Sequence, residues 1–238
     1  MKKYIKGEKF MTKYYTAVGI MKQRKGEKGM TYPYVEIGKN EYHLDMQEMV
    51  LWSVLNWRIL SADEIKKLYE KKVNELGLGY RKTMEACQYY LMQRGLIAEG
   101  VGETPADALY DLLSNLYVVP VSENIFLRVF SFVRLTAKGM PFKVTKRILF
   151  RDKRSDGEKK VMRIAHQATF STAEIIKCIE ADKTHFANDK EILDTIYHDE
   201  HLTSDNIAYC VKSSPVCRPV LTDVANLYLR QQIVFGGV

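Results

Sequence analysis

Between residues 43 and 99, apolar positions recur at helical spacing in three successive runs. Met49, Val50, Trp52 and Leu55 mark the first, and a second opens at Leu60-Ser-Ala-Asp-Glu-Ile65 and runs to about Leu76. Ser61 with Glu64 is a capping-box pair, in which hydroxyl and carboxylate satisfy each other's backbone N–H groups and fix where the helix starts. Gly77 and Gly79 end it, and a third run spans residues 80–94 before Gly95-Leu-Ile97 turns into a strand. Within that third run Met84, Cys87, Leu91 and Arg94 fall near one face, while Arg81, Lys82, Glu85, Gln88 and Tyr89 fall largely elsewhere. One side packs and the other is left to make contacts.

The plan recurs near the C-terminus. Ile192, Leu193, Ile196 and Tyr197 repeat the spacing of Val50, Leu51, Val54 and Leu55, and Leu202-Thr-Ser-Asp-Asn-Ile207 repeats Leu60-Ser-Ala-Asp-Glu-Ile65. A last run, Val224, Leu227 and Tyr228 followed by Gln231-Gln-Ile-Val234, repeats Cys87, Tyr90 and Leu91 followed by Arg94-Gly-Leu-Ile97. Residues 215–219, bounded by prolines, form a shorter connection than the glycine turn of the first block.

Three short helices closed by a Gly-Leu-Ile strand resemble the winged-helix superfamily of helix-turn-helix DNA-binding proteins, here with a divergent second copy. The likeness lies in pattern, not in an invariant motif. The expected fold is α+β and mainly helical: two winged-helix-like three-helix modules joined by a connector containing a β-hairpin. Four segments follow: a basic N-terminal arm (1–30), a winged-helix domain with enlarged wing (31–121), a connector with a basic hairpin (122–170), and the second module (171–238).

Elsewhere the pattern is local. Residues 32–37 and 41–44 read as two short strands around Gly38-Lys-Asn40, the first expected to pair with the strand near Leu96. Thr104 and Pro105 open a helix carrying Ala108, Leu109, Leu112, Leu113 and Leu116 on one face, and residues 116–121 read as a strand. Residues 144–151 and 159–165 flank Asp152-Lys-Arg-Ser-Asp-Gly157, a polar Asp-Gly turn that predicts the hairpin. Ser171 with Glu174 predicts another helix start.

Charge redistributes this picture. The formal net charge is +7, and residues 1–30 hold nine Lys and Arg against two acidic groups. Residues 31–100 balance nine against ten, residues 151–170 carry six against three, and residues 171–238 carry six against ten. A polyanion should therefore meet the N-terminal segment and the middle of the chain first. The resemblance implies double-stranded DNA as partner, with a second copy of the chain or another protein as further partners. Arg81, Lys82 and Gln88 would serve on the third helix; Lys22, Arg24 and Lys25 on the N-terminal segment; Arg147, Arg151, Lys153 and Arg154 on the hairpin; Arg218 and Asn226 on the second module. A bacterial transcriptional regulator leads this reading. A plasmid or phage replication initiator shares its logic, and an assembly protein using the same modules as docking surfaces stands as the alternative.

Catalytic motifs are absent: no GxGxxG, P-loop, GxSxG, HExxH or paired-cysteine zinc spacing occurs, and an enzyme is not expected. His198 and His201 lie three apart near Cys210, but His201 falls where the helix should be ending, so no metal or cofactor is expected. Cys87, Cys178, Cys210 and Cys217 sit in or beside apolar runs and read as reduced and mostly buried. No apolar run approaches the length of a membrane span and no signal peptide is evident, so the expected location is cytoplasmic.

Overall fold

Side-chain caps set most helix starts. In a computed structural model describing residues 11–25, 31–79, 82–121, 153–199 and 201–237, α1 (Met46–Leu55) opens on Asp45, which accepts the Glu48 N–H at 2.8 Å while Glu48 reaches back to the Asp45 N–H. For α2 (Ala62–Glu75), the Glu64 carboxylate accepts from both the N–H and the hydroxyl of Ser61 at 2.8 Å. The third helix, α3, runs Met84–Gln93, four residues shorter at its start than the apolar spacing suggests, because Thr83 caps it by accepting the Ala86 N–H. Thr104 and Pro105 open α4 (Pro105–Ser114) as expected.

Four strands precede these helices: β1 (Thr12–Ala17), β2 (Ile20–Lys25), β3 (Thr31–Ile37) and β4 (Asn40–Tyr42). Residues 12–25 are therefore not a free arm. β1 pairs antiparallel with β5 (Ile97–Gly102), setting Tyr15 opposite Glu99 and Ala17 opposite Ile97. β3 lies between β2 and β4. The strand of residues 32–37 thus does not pair beside Leu96; that place is taken by β1, whose Tyr15, Thr16 and Ala17 are buried.

β6 (Tyr117–Pro120) joins a second sheet in the order β7-β6-β8, with β7 (Phe170–Ser171) and β8 (Ile233–Phe235) antiparallel on either side. The described half of the expected Asp-Gly hairpin is a helix instead, α5 (Asp156–Ala165). Ser155 and Glu158 form its capping box, so Asp156 and Gly157 occupy a first helical turn, and Val161, Met162, Ile164 and Ala165 then bury a helical stripe. Gly157 lies against Asp223, whose carboxylate an added Cβ would overlap. Residues 144–151, with Arg147 and Arg151, lie outside the described residues.

The C-terminal helices are α6 (Thr172–Glu180), α7 (Asp189–Ile196), α8 (Ile207–Val211) and α9 (Cys217–Leu229). The segment matched to α2 in the sequence forms only the five-residue α8, and Leu202 to Asn206 are mostly turn. The ends of α3 and α9 agree more closely. Gly95 (φ 67°) and Gln231 (φ 59°) are both left-handed; Leu96 N–H returns to the Leu91 carbonyl, and Gln232 N–H to the Leu227 carbonyl. This places Gln231 where Gly95 stands, one residue from the register read in the sequence.

Two apolar cores result. One gathers Trp52, Leu55, Ile65, Tyr69, Cys87, Leu91 and Leu96; the other gathers Leu113, Val118, Ile164, Ile176, Val224, Leu227 and Phe235. Ile37 packs against both. The Tyr228 hydroxyl joins them: it accepts from Thr16 Oγ1 and from the Trp57 N–H, both at 2.9 Å, with the carbonyls of Ala17 and Leu55 at 3.3 and 3.4 Å to receive its proton. Trp57 itself sits at φ 55°, in the left-handed region. Among the described residues the chain is mixed α/β, and no helix is long and apolar enough to cross a membrane. Cys87, Cys178 and Cys217 are buried free thiols and Cys210 is exposed.

Replacing Tyr228 with Phe leaves the Trp57 N–H without its acceptor in a dry interior, while the Thr16 hydroxyl keeps the Arg58 carbonyl at 2.8 Å. We expect a loss of about 1–3 kcal/mol in urea-induced unfolding with an unchanged m-value. A loss below about 0.5 kcal/mol would show that the hydroxyl is not the link between the cores.

Candidate recognition surfaces

Cys87 and Leu91 hold α3 in the first core, which leaves Glu85, Tyr89 and Gln93 facing outward. Tyr89 is 60% exposed and Tyr90 49%, and their rings meet edge to face at 5.8 Å. Gln88 is turned elsewhere, toward the hydroxyl of Tyr15 on β1. Burial first, and then the Glu99 carboxylate that accepts its proton at 2.7 Å, push the Tyr15 phenol up to about 12.

The cations beside α3 are matched by carboxylates. Lys82 precedes the helix and does not ride on it; its Nζ reaches Asp45 at 2.5 Å and Glu48 at 3.2 Å, and it lies 5.3 Å from the centre of the Tyr90 ring. Arg94 donates to the same Glu48 at 2.7 Å and to the His43 carbonyl at 3.1 Å. The Glu48 side chain is only 8% exposed, so it serves two cations and a helix cap from inside the surface. Hydrogen bonding to Asp45, then to Glu48, raises Lys82 above the ordinary lysine value. Arg81 lies outside the described residues.

On β2 the pattern repeats. Lys22 pairs with Glu36 at 2.5 Å, and Arg24 pairs with Glu41 at 2.6 Å while its guanidinium lies 5.5 Å from the centre of the Tyr34 ring. Nothing is described of the Lys25 side chain. Lys153 is exposed just ahead of α5, whereas Arg154 donates to the buried Gln232 at 2.5 Å. Arg218 is exposed on the first turn of α9, and Asn226 is half-buried near its end, its carbonyl accepting the Arg230 N–H. The nominated residues that are described therefore lie on or beside four elements, β2, α3, α5 and α9.

Sequence reasoning missed the acidic partners and the tyrosine pair. Asp45 and Glu48 carry a capping-box signature that spacing alone reveals, whereas their contacts with Lys82 and Arg94 need the tertiary fold. A cleft of about 640 Å³ between β5, α4 and α8 is also acidic: Glu103, Asp107, Asp111 and Asp205 line it, and Lys212 answers Asp107 at 3.2 Å. His198, His201 and Cys210 are exposed, and no group of three metal-ligating side chains converges among the described residues. No protein-family model, no curated protein and no solved structure matches the chain.

Asp45 supplies a pH test. Burial alone would raise its carboxyl, but the Glu48 N–H and the Lys82 ammonium outweigh it and hold the group below the usual 3.8. A depressed folded-state pKa contributes stability that is present above the unfolded value and is lost as pH falls through the folded one. We expect thermal unfolding to show Asp45→Asn below the natural chain at pH 7, the gap closing as the pH drops below about 3.8. An equal gap at pH 7 and pH 2.5 would refute the ionic contribution.

Proposed function

We propose that this chain is a protein-docking module built on two three-helix units similar to winged helices, with the outer face of α3 as its contact surface. The observation that carries this reading is neutralisation. A phosphate approaching α3 meets Asp45, Glu48 and Glu85, and the described cations beside the helix, Lys82 and Arg94, are already held by two of these carboxylates. What that face offers instead is an aromatic pair, Tyr89 and Tyr90, with polar Gln93 nearby. Tyrosines ringed by polar groups suit a protein interface, because they supply contact area at little conformational entropy.

DNA binding, as a transcriptional regulator or a replication initiator, is the second reading. It is favoured by one specific observation: the positive charge of the sequence is concentrated in residues 1–30 and 151–170. The two readings differ in their dependence on salt. Contact with about six phosphates weakens by orders of magnitude between 50 and 200 mM salt, whereas burial of tyrosines does not.

Fluorescence anisotropy on a labelled duplex of about 30 base pairs, with the full chain, separates them. Docking predicts no saturation at about 10 μM protein in 200 mM salt, and no change on Arg81→Ala with Lys82→Ala. It also predicts a protein partner that the immobilised chain retains equally at both salt concentrations and loses when Tyr89→Ser and Tyr90→Ser are combined. Tight duplex binding that collapses with salt and with Lys82→Ala would sink the docking reading in favour of the second.

A further inference from the structure

Asp107, Tyr110, Asp111 and Ser114 recur along α4 at three- and four-residue spacing and so share one face of the helix. That face is a wall of the cleft of about 640 Å³. A second wall comes from β5, whose close approach depends on Gly102, since a Cβ there would overlap the Ala108 nitrogen. A third comes from α8, tied to α4 by the Tyr110 hydroxyl, which donates to the Ala208 carbonyl. The packing of three elements therefore holds the cleft in shape.

Its polar groups are only partly answered. Lys212 pairs with Asp107 at 3.2 Å and lies 5.5 Å from the centre of the Tyr110 ring. Asp111 accepts the Val101 N–H at 2.8 Å and Asp205 accepts from the Ser204 hydroxyl at 3.3 Å, yet among the described residues neither carboxylate has a cation as partner. Ser114 is 2% exposed and lies in the cleft wall, and among the described residues its hydroxyl has no hydrogen-bond partner. A hydroxyl this buried costs free energy unless something entering the cleft bonds it. The carboxylates, for their part, do not converge: no group of three metal-ligating side chains meets among the described residues. A single compact cation, which needs several oxygens around one point, does not suit that spread.

We infer that the cleft takes a linear aliphatic polyamine, its ammonium groups spread along the acidic walls. Two ammonium groups pair with Asp111 and Asp205, and an N–H donates to the Ser114 hydroxyl oxygen. The methylenes between them lie against Tyr110 and against Tyr209, an exposed ring on the same cleft. An exposed carboxylate holds one ammonium weakly, so useful affinity requires several charges on one chain. None of these residues lies on α3, so this site stands or falls apart from the docking reading, and Tyr89→Ser with Tyr90→Ser leaves it unchanged.

The test is isothermal titration calorimetry of the full chain with spermidine, with butylamine and magnesium as controls at matched ionic strength. We expect saturable one-to-one binding of spermidine with a Kd below about 1 mM, and no saturation by either control. Asp111→Asn combined with Asp205→Asn should weaken it at least about tenfold, while the new amide still accepts the Val101 N–H and the circular dichroism is that of the natural chain. Ser114→Ala should weaken it about threefold with an unchanged melting temperature in the absence of ligand. Should that variant fail to fold, two diamines test the same hydrogen bond from the ligand side. Hexamethylenediamine should bind about tenfold more tightly than hexamethonium, which has the same chain and charge but no N–H. No saturable heat at millimolar spermidine, equal binding of butylamine or magnesium, hexamethonium as tight as the diamine, or undiminished binding by the double Asn variant would overturn the inference.

Discussion

A buried phenol ties together the two cores of this fold. Tyr228, on the last helix, is 1% exposed, and its hydroxyl gathers Thr16 from β1, the Trp57 N–H from the turn after α1, and the carbonyls of Ala17 and Leu55. Buried polar groups are expensive unless satisfied, so a cluster of this kind fixes geometry more strictly than apolar contact does. Apolar packing lets two cores slide by small amounts; a hydroxyl with two donors and two carbonyls around it does not. The edge of β8 is tied in the same place, since Phe235 accepts from the Gly19 N–H and Ile233 from the Trp57 indole.

Charge follows a comparable discipline. Glu48 lies nearly buried under α3, where it caps α1, holds Arg94 and shares Lys82 with Asp45. On the second core Glu158 does similar work, capping α5 and receiving Arg230 at 3.1 Å. Each arrangement places a carboxylate beneath a cation that the sequence alone presents as available. Removing the cation from either would leave a nearly buried carboxylate uncompensated, so these contacts hold the fold and also set the field at the surface.

Local features were legible in the sequence, and long-range ones were not. Ser61 with Glu64, Thr104 with Pro105 and Ser171 with Glu174 each specify a helix start within four residues, and all three open helices. Asp156-Gly157 misleads because the same dipeptide suits a tight hairpin and a first helical turn; Ser155 and Glu158, read together, decide for the helix. The pairing of β1 with β5 joins residues eighty or more apart, Tyr15 with Glu99 for example, and no spacing rule announces it. For the same reason Lys82 was legible as a cation but not as a partner of Asp45, thirty-seven residues away. The resemblance between the two ends of the chain survives best where it is most local, in the matching left-handed turns at Gly95 and Gln231.

The link between Thr16 and Tyr228 spans 212 residues. Contacts this distant in sequence form late, since a long loop must close before they give any return. During synthesis β1 reaches solution well ahead of α9, and until α9 follows, the Thr16 hydroxyl and the Trp57 N–H have no Tyr228 to bond. Ribosome-bound chains thus keep this seam open until α9 has emerged.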